Sequence, residues 1–175
     1  PWNYPAELVS WKLCASLAAG CTIVIKPAEL TPFTALSIAE KTLAAGIPAG
    51  VVNVVTGKGS QVGQALVEHP DVDKIAFTGS SAVGLHIQQS CTQVKRLSLE
   101  LGGNCPMIVT QSADLALAVK GAARRGFRNA GQICIAVNRI YVARSLYEDF
   151  VRELGAAADK LTVCLLYTSD AADER

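Results

Sequence analysis

The chain has 175 residues, half of them apolar and 18% charged, with 16 Lys and Arg against 15 Asp and Glu for a net charge of +1. That balance excludes a disordered or low-complexity polymer and offers no basic excess for nucleic acid or an anionic membrane. Apolar runs such as residues 22–25 and 51–55 are far too short to span a bilayer, and the opening Pro-Trp-Asn-Tyr-Pro lacks the basic start of a signal peptide. The first residue is Pro rather than Met, so the expectation is a fragment.

Apolar positions at helical spacing predict a helix over 6–19, ended by Gly20. A β-branched run predicts a buried strand over 21–25. A second helix is expected over 32–45, with Thr31 as N-cap, Pro32 at N1 and Gly46 past its end. A strand over 51–55 leads through Gly57-Lys58-Gly59 into a short helix over 61–68. A strand over 74–77 turns at Thr78-Gly79-Ser80 into a helix over 82–90, and strands over 96–99 and 107–109 flank Gly102-Gly103. A helix over 113–127, a strand over 139–142 and an amphipathic helix over 146–160 complete the pattern. Repeated strand–helix units imply an α/β fold with a parallel sheet and helices on both faces.

The six cysteines form no C-x-x-C pair, and His69 and His86 stand at no metal-like spacing, so no structural metal site is expected. Cysteines scattered over apolar segments suit a reducing compartment, where most are small buried hydrophobes. From Cys164 the sequence Cys-Leu-Leu-Tyr-Thr-Ser-Asp-Ala-Ala-Asp-Glu resembles an in-frame translation of a sequencing adapter, so residues 164–175 are expected to be a non-native tail.

Several local motifs carry chemistry, each with a plainer alternative. Gly57, Gly59 and Gly63 follow a strand and open a helix, where glycines let the backbone approach a ligand. Their spacing is not the dinucleotide fingerprint, and a tight turn explains it nearly as well. Phe77-Thr78-Gly79-Ser80 with Gly84 repeats the arrangement; Ser80 can hold a phosphate or simply cap its helix. Lys26 and Glu29 follow the first strand, at the edge where open α/β sheets bind ligands, and could equally be a solvated loop. Glu100 closes an apolar strand, where desolvation would raise a carboxylate's pKa and suit a general base. Cys134, in Asn129-Ala130-Gly131-Gln132-Ile133-Cys134, lies at a helix–strand junction where a thiol can be exposed and reactive.

Taken together and in order, Pro-Trp-Asn-Tyr-Pro, Lys-Pro-Ala-Glu-Leu-Thr-Pro, Phe-Thr-Gly-Ser, Leu-Glu-Leu-Gly-Gly and Asn-Ala-Gly-Gln-Ile-Cys resemble the aldehyde dehydrogenase superfamily over about residues 1–163. The separation of 34 residues between Glu100 and Cys134 fits that family's base-to-nucleophile spacing. The resemblance implies a partial Rossmann-like dinucleotide-binding domain over 1–101 and the start of a second α/β, catalytic domain over 102–163. It implies Cys134 as nucleophile, Asn3 with the Cys134 backbone N–H as oxyanion donors, and Glu100 as the base that activates water. Lys26 and Glu29 would hold the adenosine ribose, Gly59 and Gly63 the adenine side, and Ser80 the pyrophosphate. Trp2, Gly79, Gly84 and Leu101 would complete the cofactor contacts, and Tyr4, Trp11, Ile133 and Ile135 the aldehyde pocket. No metal is required.

Two details bear on specificity. Glu29 accepts a bond from a 2′-hydroxyl and repels a 2′-phosphate, which favours NAD over NADP. Succinate-semialdehyde dehydrogenases place an Arg where this chain has Trp11, which favours a less charged aldehyde. The resemblance further implies a cytoplasmic parent enzyme that is a homo-dimer or homo-tetramer. Within enzymes the rival is an acylating, CoA-dependent relative, against which Glu100 argues. Outside enzymes it is a silent structural member, against which the joint presence of Asn3, Glu100 and Cys134 argues.

Overall fold

Three successive strand–helix–strand repeats build the chain, and the computed structural model describes residues 1–163. Strand β1 (Ile23–Ile25) crosses through helix α2 (Pro32–Ala44) to β2 (Val52–Val54). Strand β3 (Lys74–Thr78) crosses through α4 (Ser81–Ser90) to β4 (Arg96–Glu100), and β5 (Cys105–Val109) through α5 (Leu115–Phe127) to β6 (Val137–Val142). Each pair is parallel, as a helical crossover demands. The expected α/β class is therefore present. Among the described residues, hydrogen bonding joins the strands as three two-stranded ladders.

The chain divides into two compact units, Pro1–Gly102 and Gly103 onward. In the first, α1 (Pro5–Ala18) begins at a proline whose missing N–H costs a helix start nothing, and Gly20 at φ 71° turns the chain out of it. Between β2 and β3 the chain makes a π-helical turn over Gly59–Gly63 before α3 (Gln64–Glu68). The single α-helix expected over 61–68 is thus a composite; two of the five residues of its first turn are glycines, weak α-formers. Leu13, Ala35, Val52, Val67 and Ile87 are the buried apolar core residues of the first unit.

Thr31 stands at the cap position of α2, but its hydroxyl makes no cap bond and is buried without a partner. Its φ of −137° and ψ of 50° depart from the extended geometry that aims a capping oxygen at the helix N–H groups. Ser80 does cap α4, accepting from Val83 N–H at 3.3 Å.

In the second unit Asp114 caps α5 by accepting from Leu117 N–H at 3.0 Å. The core there gathers Val109 of β5, Ala118, Val119 and Ala122 of α5 and Phe150 of α6 (Tyr147–Ala158), with Met107, Ile140 and Leu154 packed around them. Phe150 is the large side chain of this core, and its burial fastens α6 to α5.

The cysteines depart from expectation. Cys14, Cys21 and Cys134 are exposed, Cys91 and Cys105 are half-buried, and all five are free. Apolar neighbours in sequence do not bury a residue whose own helix face points outward. The tail assigned to residues 164–175 lies outside the described residues.

Candidate active site

In the first unit the candidate residues stand at the carboxyl ends of the strands. Lys26 directly follows β1 and donates from Nζ to the carbonyls of Pro27 at 2.6 Å and Gly57 at 3.2 Å. The second bond ties the end of β1 to the loop after β2. Glu29 Oε1 accepts the Gly59 N–H at 2.6 Å and lies 3.8 Å from Lys26 Nζ. Its own backbone N–H first, then that of Gly59, hold the Glu29 carboxyl below the usual carboxylate range, and Lys26 adds to this. A surface concavity of about 330 Å³ opens here, lined by Pro27, Ala28, Glu29, Pro32, Gly57 and Lys58 among others. Lys26, Glu29 and Gly59 therefore meet as the sequence expects, and Gly63 sits beside them, since a Cβ there would lie 3.8 Å from Lys26 Cδ.

Gly79 and Gly84 are required by packing. A Cβ on Gly79 would fall 2.3 Å from the Phe77 ring, and one on Gly84 would fall 2.5 Å from Leu101 Cδ2. Gly84 is buried, and the Leu101 side chain occupies the space its missing Cβ leaves. Ser80 opens the ten-residue helix α4, whose first N–H groups favour an anion.

Glu100 ends β4 opposite Thr78 of β3, and its carbonyl accepts the Gly79 N–H at 3.0 Å. Its side chain is exposed, which corrects the expectation of a desolvated carboxylate. Alternation along β4 places Leu97 and Leu99 toward the protein and Glu100 outward. One neighbour carries no motif in the sequence. Lys12 of α1 donates to Thr78 Oγ1 at 2.7 Å. Burial pushes the Lys12 ammonium below the usual lysine range, and the Glu100 charge opposes that shift. The available signal was a single cation on an otherwise largely apolar helix. Asn3 is half-buried, Tyr4 holds a left-handed φ of 49° at the start of α1, and Trp2 and Trp11 are exposed.

In the second unit, α5 ends and the chain passes through Arg128–Gly131, with Asn129 and Ala130 both at φ 54° and Gly131 at φ 74°. An alanine in the left-handed region is a strained residue, so the surrounding bonds must hold it. Asn129 does so with its carbonyl accepting Gln132 N–H at 3.0 Å and its side-chain amide donating to the Gln132 carbonyl at 3.2 Å. The next four residues close a turn, Ala136 N–H donating to the Ile133 carbonyl at 3.0 Å. Cys134 and Ile135 lie at its exposed tip, with Ile133 half-buried beside them. Cys105, also passed over in the sequence, donates its thiol to the Cys134 carbonyl at 3.5 Å.

Comparison with known proteins supports one family. A model described as the aldehyde dehydrogenase family matches residues 1–168, running past Val163 into the segment whose native origin the sequence puts in question. Cytosolic 10-formyltetrahydrofolate dehydrogenase of Homo sapiens is 53% identical, over 93% of this chain and 18% of its own length. Succinate-semialdehyde dehydrogenase [NADP(+)] GabD of Escherichia coli K12 is 49% identical, over 93% of this chain and 34% of its own. Among solved structures, PnpE in complex with nicotinamide adenine dinucleotide superposes with a TM-score of 0.88 at 48% identity, over 92% of this chain and 33% of its own. The chain thus spans at most about a third of these relatives.

Proposed function

Because the chain belongs to the aldehyde dehydrogenase family, by a match over residues 1–168, we propose that its parent protein oxidises an aldehyde to a carboxylic acid with a nicotinamide dinucleotide. The observation that carries this reading is the exposed Cys134, held at the tip of a turn that ends the run Asn129-Ala130-Gly131-Gln132-Ile133-Cys134. An exposed thiol on a turn that is braced by its own backbone bonds can meet a carbonyl carbon without reorganising the fold.

The Cys134 sulfur adds to the aldehyde carbon as a thiohemiacetal. The side-chain amide of Asn3 serves as a donor to the oxyanion, as does the Cys134 N–H. When bound, the dinucleotide supplies the hydride acceptor for the aldehyde carbon. Glu100 then takes a proton from the water that hydrolyses the Cys134 thioester, and its exposed position leaves it free to exchange that proton with solvent.

The cofactor fits the residues at the strand ends. Glu29 is ionised and oriented by Gly59, beside a concavity that an adenosine can enter, and Ser80 opens a helix whose N–H groups suit the pyrophosphate. NAD is favoured over NADP, because Glu29 is anionic and the Lys26 ammonium is already engaged by two backbone carbonyls. Trp2, Gly59, Gly63, Gly79, Gly84 and Leu101 are assigned to the remaining cofactor contacts. Tyr4, Trp11, Ile133 and Ile135 are assigned to the aldehyde pocket, where Trp11 favours an uncharged substrate. A cytoplasmic, homo-oligomeric parent fits the reading.

The test is Cys134→Ala in the full-length enzyme, with nicotinamide reduction followed in the absence of CoA. Activity should fall at least about a thousandfold, while Cys14→Ala and Cys91→Ala retain it. Aldehyde oxidation by the Cys134 variant ends the assignment.

A further inference from the structure

A nucleophilic thiol at an exposed turn is also the thiol most open to oxidation, and its fate depends on what lies beside it. Among the described residues of the second unit, Cys105 and Cys134 are the two cysteines, and they are in contact. Cys105 opens β5, while Cys134 lies in the turn before β6. Cys105 pairs with Val137, and a register shift separates it from Pro106, so the ladder is already irregular where the two segments approach.

Gly103 leaves room for the approach. A Cβ there would lie 3.1 Å from the Cys134 carbonyl oxygen and 3.8 Å from Cys105 Sγ. The Cys105 sulfur therefore reaches the backbone of Cys134 itself, at 3.5 Å. A residue's carbonyl oxygen and its Cβ are about 3 Å apart by bond geometry. Bringing the two sulfurs to bonding distance calls for a rotation of the exposed Cys134 side chain and a movement of its turn.

We propose that Cys105 is the resolving thiol of Cys134, capturing it as a Cys105–Cys134 disulfide when a hydroperoxide has oxidised it. This rests on the reading of Cys134 as the reactive nucleophile. In the first step the Cys134 thiolate attacks the peroxide O–O bond, giving a sulfenic acid and releasing hydroxide. In the second the Cys105 sulfur attacks the Cys134 sulfur, the S–S bond forms, and the sulfenic oxygen leaves with the Cys105 proton as water. The peroxide is reduced by two electrons and the two thiols are oxidised by two. The disulfide stops oxidation short of the irreversible sulfinic acid, and a dithiol reductant restores the nucleophile.

The experiment uses the full-length enzyme, reduced, freed of reductant, and exposed to a few equivalents of hydrogen peroxide without aldehyde or cofactor. A peptide map under non-reducing conditions should show residues 105 and 134 cross-linked. Activity should fall at least about tenfold and return with dithiothreitol. Cys105→Ser and Cys105→Ala should show no cross-link and should lose activity to peroxide without recovery, Cys134 appearing as sulfinic acid. A map with Cys134 of the unmodified enzyme as sulfinic acid, or bridged to another thiol, overturns the proposal. So does full recovery by both Cys105 variants. A cross-link between 105 and 134 that leaves activity unchanged upholds the pair and defeats the nucleophile reading instead.

Discussion

Glu29→Gln isolates the charge proposed to read the cofactor. The amide retains an oxygen able to accept the Gly59 N–H, so the 2.6 Å bond that orients the side chain has a substitute while the negative charge goes. A 2′-phosphate carries about −1.5 to −2 charges at neutral pH. Two unit charges about 4 Å apart repel by about 1 kcal/mol in water and about 4 kcal/mol at a surface-like dielectric constant. Glu29 is half-exposed, with Lys26 Nζ 3.8 Å away to offset part of its field, so the lower end of that range applies. A penalty of about 1–2 kcal/mol corresponds to about 5- to 30-fold in preference. The assay compares kcat/KM for NADP and NAD at saturating aldehyde and neutral pH, at low and high salt. Glu29→Gln should raise the NADP-to-NAD ratio by that factor, chiefly through KM for NADP, and added salt should shrink the difference in the unmodified enzyme. Backbone N–H groups hold the folded-state carboxyl below its ordinary range, so the NAD-bound form should keep this charge as pH falls through that range. A ratio that moves less than about twofold refutes the charge argument.

Two further outcomes test the base and the fold. Glu100→Gln should leave the first turnover intact and slow thioester hydrolysis, giving a burst of reduced nicotinamide followed by turnover at least about a hundredfold slower; a lost burst with unchanged steady state assigns Glu100 another role. Phe150→Ala empties the centre of the second unit's core, where Phe150 is 2% exposed, and should lower unfolding free energy by about 3–5 kcal/mol in denaturant titration; a loss under about 1 kcal/mol shows that α6 is held elsewhere.

What the sequence makes legible is the local grammar. β-branched runs mark the strands, while Gly20, Pro32 and Gly46 mark ends of the first two helices to within two residues of those observed. These signals act over a few residues of backbone, so one sequence carries them. The π turn over Gly59–Gly63 was not legible, because periodicity marks a helix without fixing its hydrogen-bond spacing. Nor was the idle Thr31 hydroxyl, whose residue type fits a cap while its backbone angles do not. The reach from Lys12 to Thr78 spans 66 positions, and the Cys105 contact with Cys134 spans 29; only packing brings such pairs together. Burial of the cysteines is not legible for the same reason, since it depends on which way each segment faces.

The placement of the candidate groups follows from the direction of the strands. A parallel strand–helix–strand repeat collects, at its carboxyl edge, the ends of both strands and the start of the crossover helix. Lys26 follows β1, Gly57 follows β2, Ser80 follows β3 and starts α4, and Glu100 ends β4. That edge presents backbone N–H groups, which is what an anionic dinucleotide requires and what the Gly59 N–H already offers to Glu29. Cys134 stands at the other kind of edge, ahead of β6 and after the end of α5, where a helix offers carbonyls. Carbonyls make a poor anion cradle but supply acceptors for fixing a turn, and those of Asn129, Ile133 and Cys134, all beyond the end of α5, accept from Gln132 N–H, Ala136 N–H and the Cys105 thiol. The two placements thus differ in backbone polarity: Ser80 stands at the start of α4, where helix N–H groups gather, and Cys134 stands on a turn braced by carbonyl acceptors.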